Sequence, residues 1–423
     1  MNVKLRLIIM NFLQFAVWGS YLTSMGGYLA NVGLAEKIWL FYAIQGIVSI
    51  FMPAFMGIVA DKWIQAQRVL SLCHAVAGAF MLCAGVYASY AGASVQFGTL
   101  FTLYTISVAF FMPTIAISNS VAYNALEAAN LDTVKHFPPI RVFGTVGFIC
   151  SMLAVNFIRN SQGIQFQLSY EQFMLSGALS IVLCMYALSI THCPCAGKGM
   201  NTKSFAEATG LSAFKLFKER KFAIFFIFSM LLGASLQITN GYANPFITGF
   251  KEMPEFANTW GANNANAIIS ISQISETLCI LLIPFCMRRF GIKKVMLISM
   301  SAWVLRFGLF GLGNPGERVW MLILSCIVYG VAFDFFNISG SLYVDKNTDN
   351  DMRSSAQGLF MLMTNGLGAT LGTWGAGLVV NHFVYNSSYP SWSSAWYVFA
   401  AYAFVVAVLF ALCFKDEKNT VNN

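Results

Sequence analysis

The chain has 423 residues, 57% of them hydrophobic and 10% charged. Soluble domains carry about 25% charged residues, so a water-soluble globular fold is excluded. The formal net charge of +8 would point to nucleic acid in a soluble protein, but its distribution along this chain carries a different meaning.

The apolar residues come in long runs. A membrane helix needs about 20 of them to cross a hydrocarbon core of roughly 30 Å, and helices satisfy their own backbone in lipid. In chain order the runs predict helices over 5–31, 38–60, 68–90, 97–125, 139–158, 171–190, 221–250, 264–287, 293–312, 319–344, 354–384 and 392–414. The first begins after Lys4 and Arg6 as a signal peptide does. Asn11 and Gln14 interrupt it and no small-residue cleavage site follows, so it reads as an uncleaved span. The fifth is predicted to start after Pro138 and Pro139, residues suited to a first helical turn.

The expected fold is therefore all-α and integral to the membrane, with twelve transmembrane helices in two six-helix bundles. The divisions are an N-terminal bundle over 1–190, a cytoplasmic linker over 191–220, a C-terminal bundle over 221–414 and a cytoplasmic tail over 415–423. Basic residues set the orientation. Of the 25 Lys and Arg, only Lys37, Arg159, Lys251 and Arg318 fall on one side, and Arg306 lies within a helix. The rest mark the cytoplasmic side, which holds both termini. The net charge is thus a topology signal, with a lipid bilayer as partner and no nucleic acid.

The two halves echo each other. GIVADKWIQAQR at 57–68 and PFCMRRFGIKK at 284–294 are each a helix end followed by a basic turn, about half a chain apart. The first resembles the loop signature of the major facilitator superfamily through Gly57, Asp61, Lys62 and Arg68.

Two acids, Glu276 and Asp334, lie deep inside predicted helices. An ionised carboxylate at the bilayer centre costs about 2.5–3.5 kcal/mol on the lenient insertion scale, whereas each Leu or Phe returns only ~0.3–0.6. Protonation removes that cost, which is what a proton-coupled carrier requires. Helical spacing collects polar partners. Gln273 and Glu276 stand at i and i+3, and so do Gln237 and Asn240. Amides supply donors and acceptors suited to nucleobase edges and sugar hydroxyls, although interhelical hydrogen bonding is an equal alternative. Tyr329 and Phe333 stand at i and i+4 beside Asp334, with Asn337 one turn on. Arg141, Thr145 and Phe148 share one stripe of helix five. Arg306 is expected to pair with Glu276 at similar depth.

Catalytic chemistry finds no support. The histidines show no metal spacing, and the ten cysteines sit mostly in apolar runs. Cys193 and Cys195 lack a second pair for zinc. Neither a nucleophile motif nor a phosphate loop is visible, and Gly144, Gly147, Gly366 and Gly368 read as helix-packing glycines. No enzyme, metal or cofactor is expected.

These residues stand within NFLQFAVWGSYL, FMPAFMGIVADKW, HFPPIRVFGTVGF, AIFFIFSMLLGASLQITN, SISQISETL, IVYGVAFDFFNISGS and SAQGLFMLMTNG. Together they make the chain resemble the bacterial nucleoside:proton symporter family of the major facilitator superfamily. The resemblance implies alternating access around a midplane site in the bacterial inner membrane, with nucleosides such as uridine and adenosine, and protons, as cargo of a monomer. It implies that Arg141, Gln237, Asn240, Gln273 and Glu276 bind base and ribose polar groups, beside Thr145. It further implies that Phe148, Tyr329 and Phe333 sandwich the base, and that Asp334 or Glu276 carries the proton. A carrier for another polar metabolite such as a sugar, or a non-transporting nucleoside sensor, remains as an alternative.

Overall fold

A computed structural model describes residues 2–190 and 211–414, and it is helical nearly throughout. Readings placed on 191–210, including Cys193 and Cys195, and on the tail at 415–423 lie outside the described residues. The first half contains α1 (Val3–Gly19), α2 (Met25–Asn31), α3 (Ile38–Lys62), α4 (Ala66–Ala91), α5 (Phe97–Ala128), α6 (Thr133–Phe157) and α7 (Glu171–Ala187). The second contains α8 (Arg220–Gly249), α9 (Ala265–Ile280), α10 (Ile283–Leu312), α11 (Val319–Asn347), α12 (Asn350–Met361), α13 (Ala369–Val380) and α14 (Trp392–Cys413). Among the described residues, eight helices are individually long and apolar enough to cross a membrane. The other predicted spans are shorter or interrupted.

Each interruption has a local cause. The span expected over 5–31 breaks between α1 and α2 at Ser20–Ser24. There Ser20 Oγ donates to the Ala16 carbonyl (2.8 Å) and Ser24 Oγ to Gln172 Oε1 (2.9 Å). Such side-chain bonds compete with the helical ladder. The boundary expected between 287 and 293 is a kink within α10 at Gly291, whose φ of 76° is open to glycine. The span expected over 354–384 holds two π-helical turns, Leu362–Gly368 and Asn381–Tyr385.

One start moves in the other direction. α6 begins at Thr133, not after the prolines, and carries Pro138 and Pro139 inside it. The proline ring fixes φ at a helical value, but each proline removes an N–H donor and crowds the carbonyl four residues back, so this first stretch of the helix needs outside support. Phe137 packs edge-on to Tyr123 at 4.6 Å and helps to hold this extra turn.

Packing follows the two halves. α1 lies on α6 and α7, while α4 lies on α5 and α7. In the second half α10 lies on α11 and α14, while α9 lies on α11. Polar side chains tie the first bundle internally. His74 of α4 shares hydrogen bonds with Gln14 of α1 (2.8 Å) and Ser180 of α7 (2.9 Å). Gln14 then donates to Thr114 of α5 (2.7 Å). The halves meet where α3 packs on α13, α6 on α9, and α2 on α8.

Cross-half hydrogen bonds cluster at the end of the molecule away from the termini. Asn244 Nδ2 donates to Gln167 Oε1 (3.1 Å) and to Asn266 Oδ1 (2.9 Å). Gln165 Nε2 donates to the Asn263 carbonyl (2.8 Å), Asn156 Nδ2 to Asn264 Oδ1 (2.9 Å), and Thr23 Oγ1 to Asn266 Oδ1 (3.3 Å). At the rim Lys251 Nζ donates to Gln165 Oε1 (3.2 Å). This amide clasp holds that end shut. Leaving a buried acceptor without its donor costs about 1–3 kcal/mol. Asn244→Leu is therefore expected to lower the melting temperature of the detergent-purified protein, measured by thermal unfolding, more than Asn160→Leu outside the clasp does.

Candidate functional site

The residues expected to form the site stand on four helices, α6 of the first half and α8, α9 and α11 of the second. α6 turns Arg141, Thr145 and Phe148 along one face. The Arg141 guanidinium lies over the Phe15 ring, 3.9 Å from its centre. Gly144 makes this possible. A Cβ there would stand 2.6 Å from Phe15 Cδ2 and 2.8 Å from Arg141 Nη1. One turn on, Gly147 meets the Phe12 backbone, so α1 and α6 touch closely. Phe148 is buried and stands edge-on to Trp18 at 6.2 Å.

The facing wall belongs to α8, α9 and α11. On α8, Asn240 Nδ2 donates to Gln237 Oε1 (3.2 Å), so the predicted amide pair acts as a unit. On α11, Tyr329 and Phe333 stack with rings 5.8 Å apart and 7° from parallel. Tyr329 is buried and Phe333 half-buried. Asp334 is only 4% exposed, and its Oδ2 has no hydrogen-bond partner among the described residues. Glu276, on α9, interacts electrostatically with Arg141 across the interface and with Asp334 and Tyr329 in its own half. Gln273 lies beside the Tyr329 hydroxyl. Of the predicted residues, the structure brings together Arg141 and Glu276 across the halves, and Glu276, Gln273, Tyr329, Phe333 and Asp334 within the second.

Arg306 does not form the expected pair with Glu276. It is 1% exposed and donates through Nη1 to the Ser325 carbonyl (2.7 Å) and to Ser272 Oγ (3.4 Å). Its guanidinium lies 4.7 Å from the Tyr329 ring centre and 5.1 Å from that of Phe310. Aromatic faces and a carbonyl replace the carboxylate, an arrangement suited to the planar, weakly hydrated guanidinium. Arg306 therefore underlies the stacked pair.

A narrow cleft, with free space of about 20 Å³, lies against Phe333, lined also by Gly233, Leu236, Trp303, Asn337 and Asn365. Asn365 was not singled out in the sequence. Its only signal was an amide within the glycine-bearing MTNG stretch.

With this geometry in place, comparison with known proteins decides the family. The family model described as "Nucleoside H+ symporter" matches residues 1–419. The chain belongs to that family. It is 46% identical over 418 residues to the xanthosine permease of Escherichia coli (strain K12), covering 98% of this chain and 96% of that protein. It is 44% identical over 424 residues to the nucleoside permease NupG of the same organism, with the same coverage of each chain. The crystal structure of nucleoside transporter NupG matches with a TM-score of 0.89 at 44% identity, covering 99% of this chain and all of that one (100%). The inward-open xylose transporter XylE of E. coli matches with a TM-score of 0.68 at 13% identity, over 99% of this chain and 97% of that one, a likeness of fold alone. The fold is that of the major facilitator superfamily, and the chain is a transporter, not an enzyme.

Gly144 offers a probe of Arg141 that leaves its charge in place. Gly144→Ala is expected to push the guanidinium off Phe15 and to raise the KM for nucleoside uptake about tenfold, equivalent to ~1.4 kcal/mol. Uptake kinetics at matched membrane protein levels check this.

Proposed function

We propose that the chain imports nucleosides such as uridine and adenosine together with a proton, by alternating access, and that Arg141, Glu276 and Asp334 form its charge centre. One observation carries the reading: two membrane-embedded acids, Glu276 and Asp334, interact with each other, and Glu276 also interacts with Arg141 across the interface between the halves. An embedded carboxylate is costly while charged, and a proton removes the cost. Substrate and proton enter together, the halves 1–190 and 221–414 rock as two bodies, and release returns the charge. Both walls come from one chain, so a monomer suffices.

Each predicted residue has a place in this scheme. Gln237, Asn240 and Gln273 offer donors and acceptors to base and ribose, with Thr145 at the opposite wall. Phe333 and Phe148 supply ring faces, and Tyr329 backs Phe333. Asp334 is the first candidate for the coupling proton, because one of its oxygens lacks a partner among the described residues. Glu276 engages Arg141.

The membrane is the bacterial inner membrane, with termini in the cytoplasm, as the distribution of Lys and Arg indicates. The amide clasp then closes the outer end, so this form faces inward. One charge moving through 100 mV supplies about 2.3 kcal/mol, enough for roughly 40-fold accumulation.

Uptake of labelled uridine and adenosine into proteoliposomes, with and without a protonophore, tests the scheme. Accumulation is expected to vanish when the proton gradient collapses; accumulation that survives would remove proton coupling. Asp334→Asn is expected to abolish accumulation while leaving counterflow exchange. Undiminished accumulation in this variant would transfer the coupling role to Glu276.

A further inference from the structure

The cleft beside Phe333 carries a feature that the charge centre does not use. Two amides, Asn337 and Asn365, line it from different helices. Asn337 stands four residues after Phe333, on the same face of α11. Asn365 comes from the π-helical turn Leu362–Gly368 between α12 and α13. A π-turn accommodates an extra residue, and one residue corresponds to roughly 100° of helix rotation. The turn therefore aims a side chain that a regular helix would direct elsewhere.

The position of Asn365 is fixed from behind. Gly233 of α8 faces the Thr364 backbone, where a Cβ would stand 2.8 Å from the Thr364 carbonyl carbon. Helix and π-turn thus touch backbone to backbone, one residue away from Asn365. The neighbouring Thr364 hydroxyl is occupied, donating to the Phe360 carbonyl at 2.9 Å. Among the described residues, Asn365 itself makes only a weak contact from Nδ2 to the Met361 sulfur at 3.8 Å. Its carbonyl oxygen and much of its donor capacity remain open to a ligand. The other lining groups, Leu236, Trp303 and Phe333, are apolar or aromatic. Flat apolar walls with a few convergent polar groups describe a pocket for a planar, edge-functionalised ring.

We infer that Asn337 and Asn365 read the hydrogen-bonding edge of the nucleobase and so determine which nucleosides bind well. This rests on the nucleoside reading above. An amide can turn either its oxygen or its NH2 towards a ligand, so the pair accepts amino-bearing and keto-bearing bases alike. The ribose is left to the amides and charges nearer Arg141.

The test uses the full-length protein in proteoliposomes and three nucleosides of one shape: adenosine, inosine, and purine riboside, which lacks the exocyclic group at C6. Wild-type uptake of all three is measured first; failure to carry any of them would sink the nucleoside reading itself. For Asn365→Leu the KM for adenosine and inosine is expected to rise about tenfold, while that for purine riboside changes less than twofold. Asn365→Ser and Asn337→Leu, each a milder or independent change, are expected to show the same ordering in smaller measure. An equal shift for the three substrates, or no shift in any variant that reaches the membrane, overturns the assignment.

Discussion

The interior of a bilayer tolerates a charge only where the protein supplies a reason for it, and the architecture of this carrier turns on that constraint. Arg141 belongs to one half and Glu276 and Asp334 to the other. The electrostatic interaction of Arg141 with Glu276 therefore spans the very interface that a carrier must open and close. The glycines of α6 serve the same end, because they let the helix lie close to α1 while the guanidinium rests on Phe15. Arg306 meets the constraint differently. It needs no acid, since a carbonyl and three aromatic faces surround it.

Stacked on this centre is a graded apolar surface. Arg306 supports Tyr329, Tyr329 supports Phe333, and Phe333 borders the cleft. A buried cation thus reaches the site through two rings. The amide pairs stand around this column, one on α8 and one shared between α11 and the π-turn.

Much of this was legible in the sequence because membranes impose long, countable patterns. The runs of apolar residues gave the helices, and the cost of burying Glu276 and Asp334 drew attention to them. Helical spacing puts Arg141, Thr145 and Phe148 on one stripe, and in the structure all three stand on the single helix α6, with Arg141 and Phe148 against rings of α1. What escaped was three-dimensional. Spacing along a chain says nothing of partners on other helices, so it pairs Arg306 with Glu276 at similar depth, where the structure has Ser325 and the rings. Hydropathy is blind to local backbone choices, so the break at Ser20–Ser24 and the π-turn before α13 were read as continuous helix. Asn365 was missed for the same reason: only the π-turn gives it its direction. The prolines of α6 misled through a general preference, as a helix can pass through them when flanking contacts hold its first turn.

The clasp at the closed end is made almost wholly of neutral amides and hydroxyls, with Lys251 at its rim. Salt screens a gate built of opposed charges, because exposed ion pairs weaken as ionic strength rises. Amide hydrogen bonds have no such dependence. Among the described residues, Lys251 is the one charged side chain in the clasp's hydrogen bonds. The strength of such a seal stays the same in dilute and in saline surroundings.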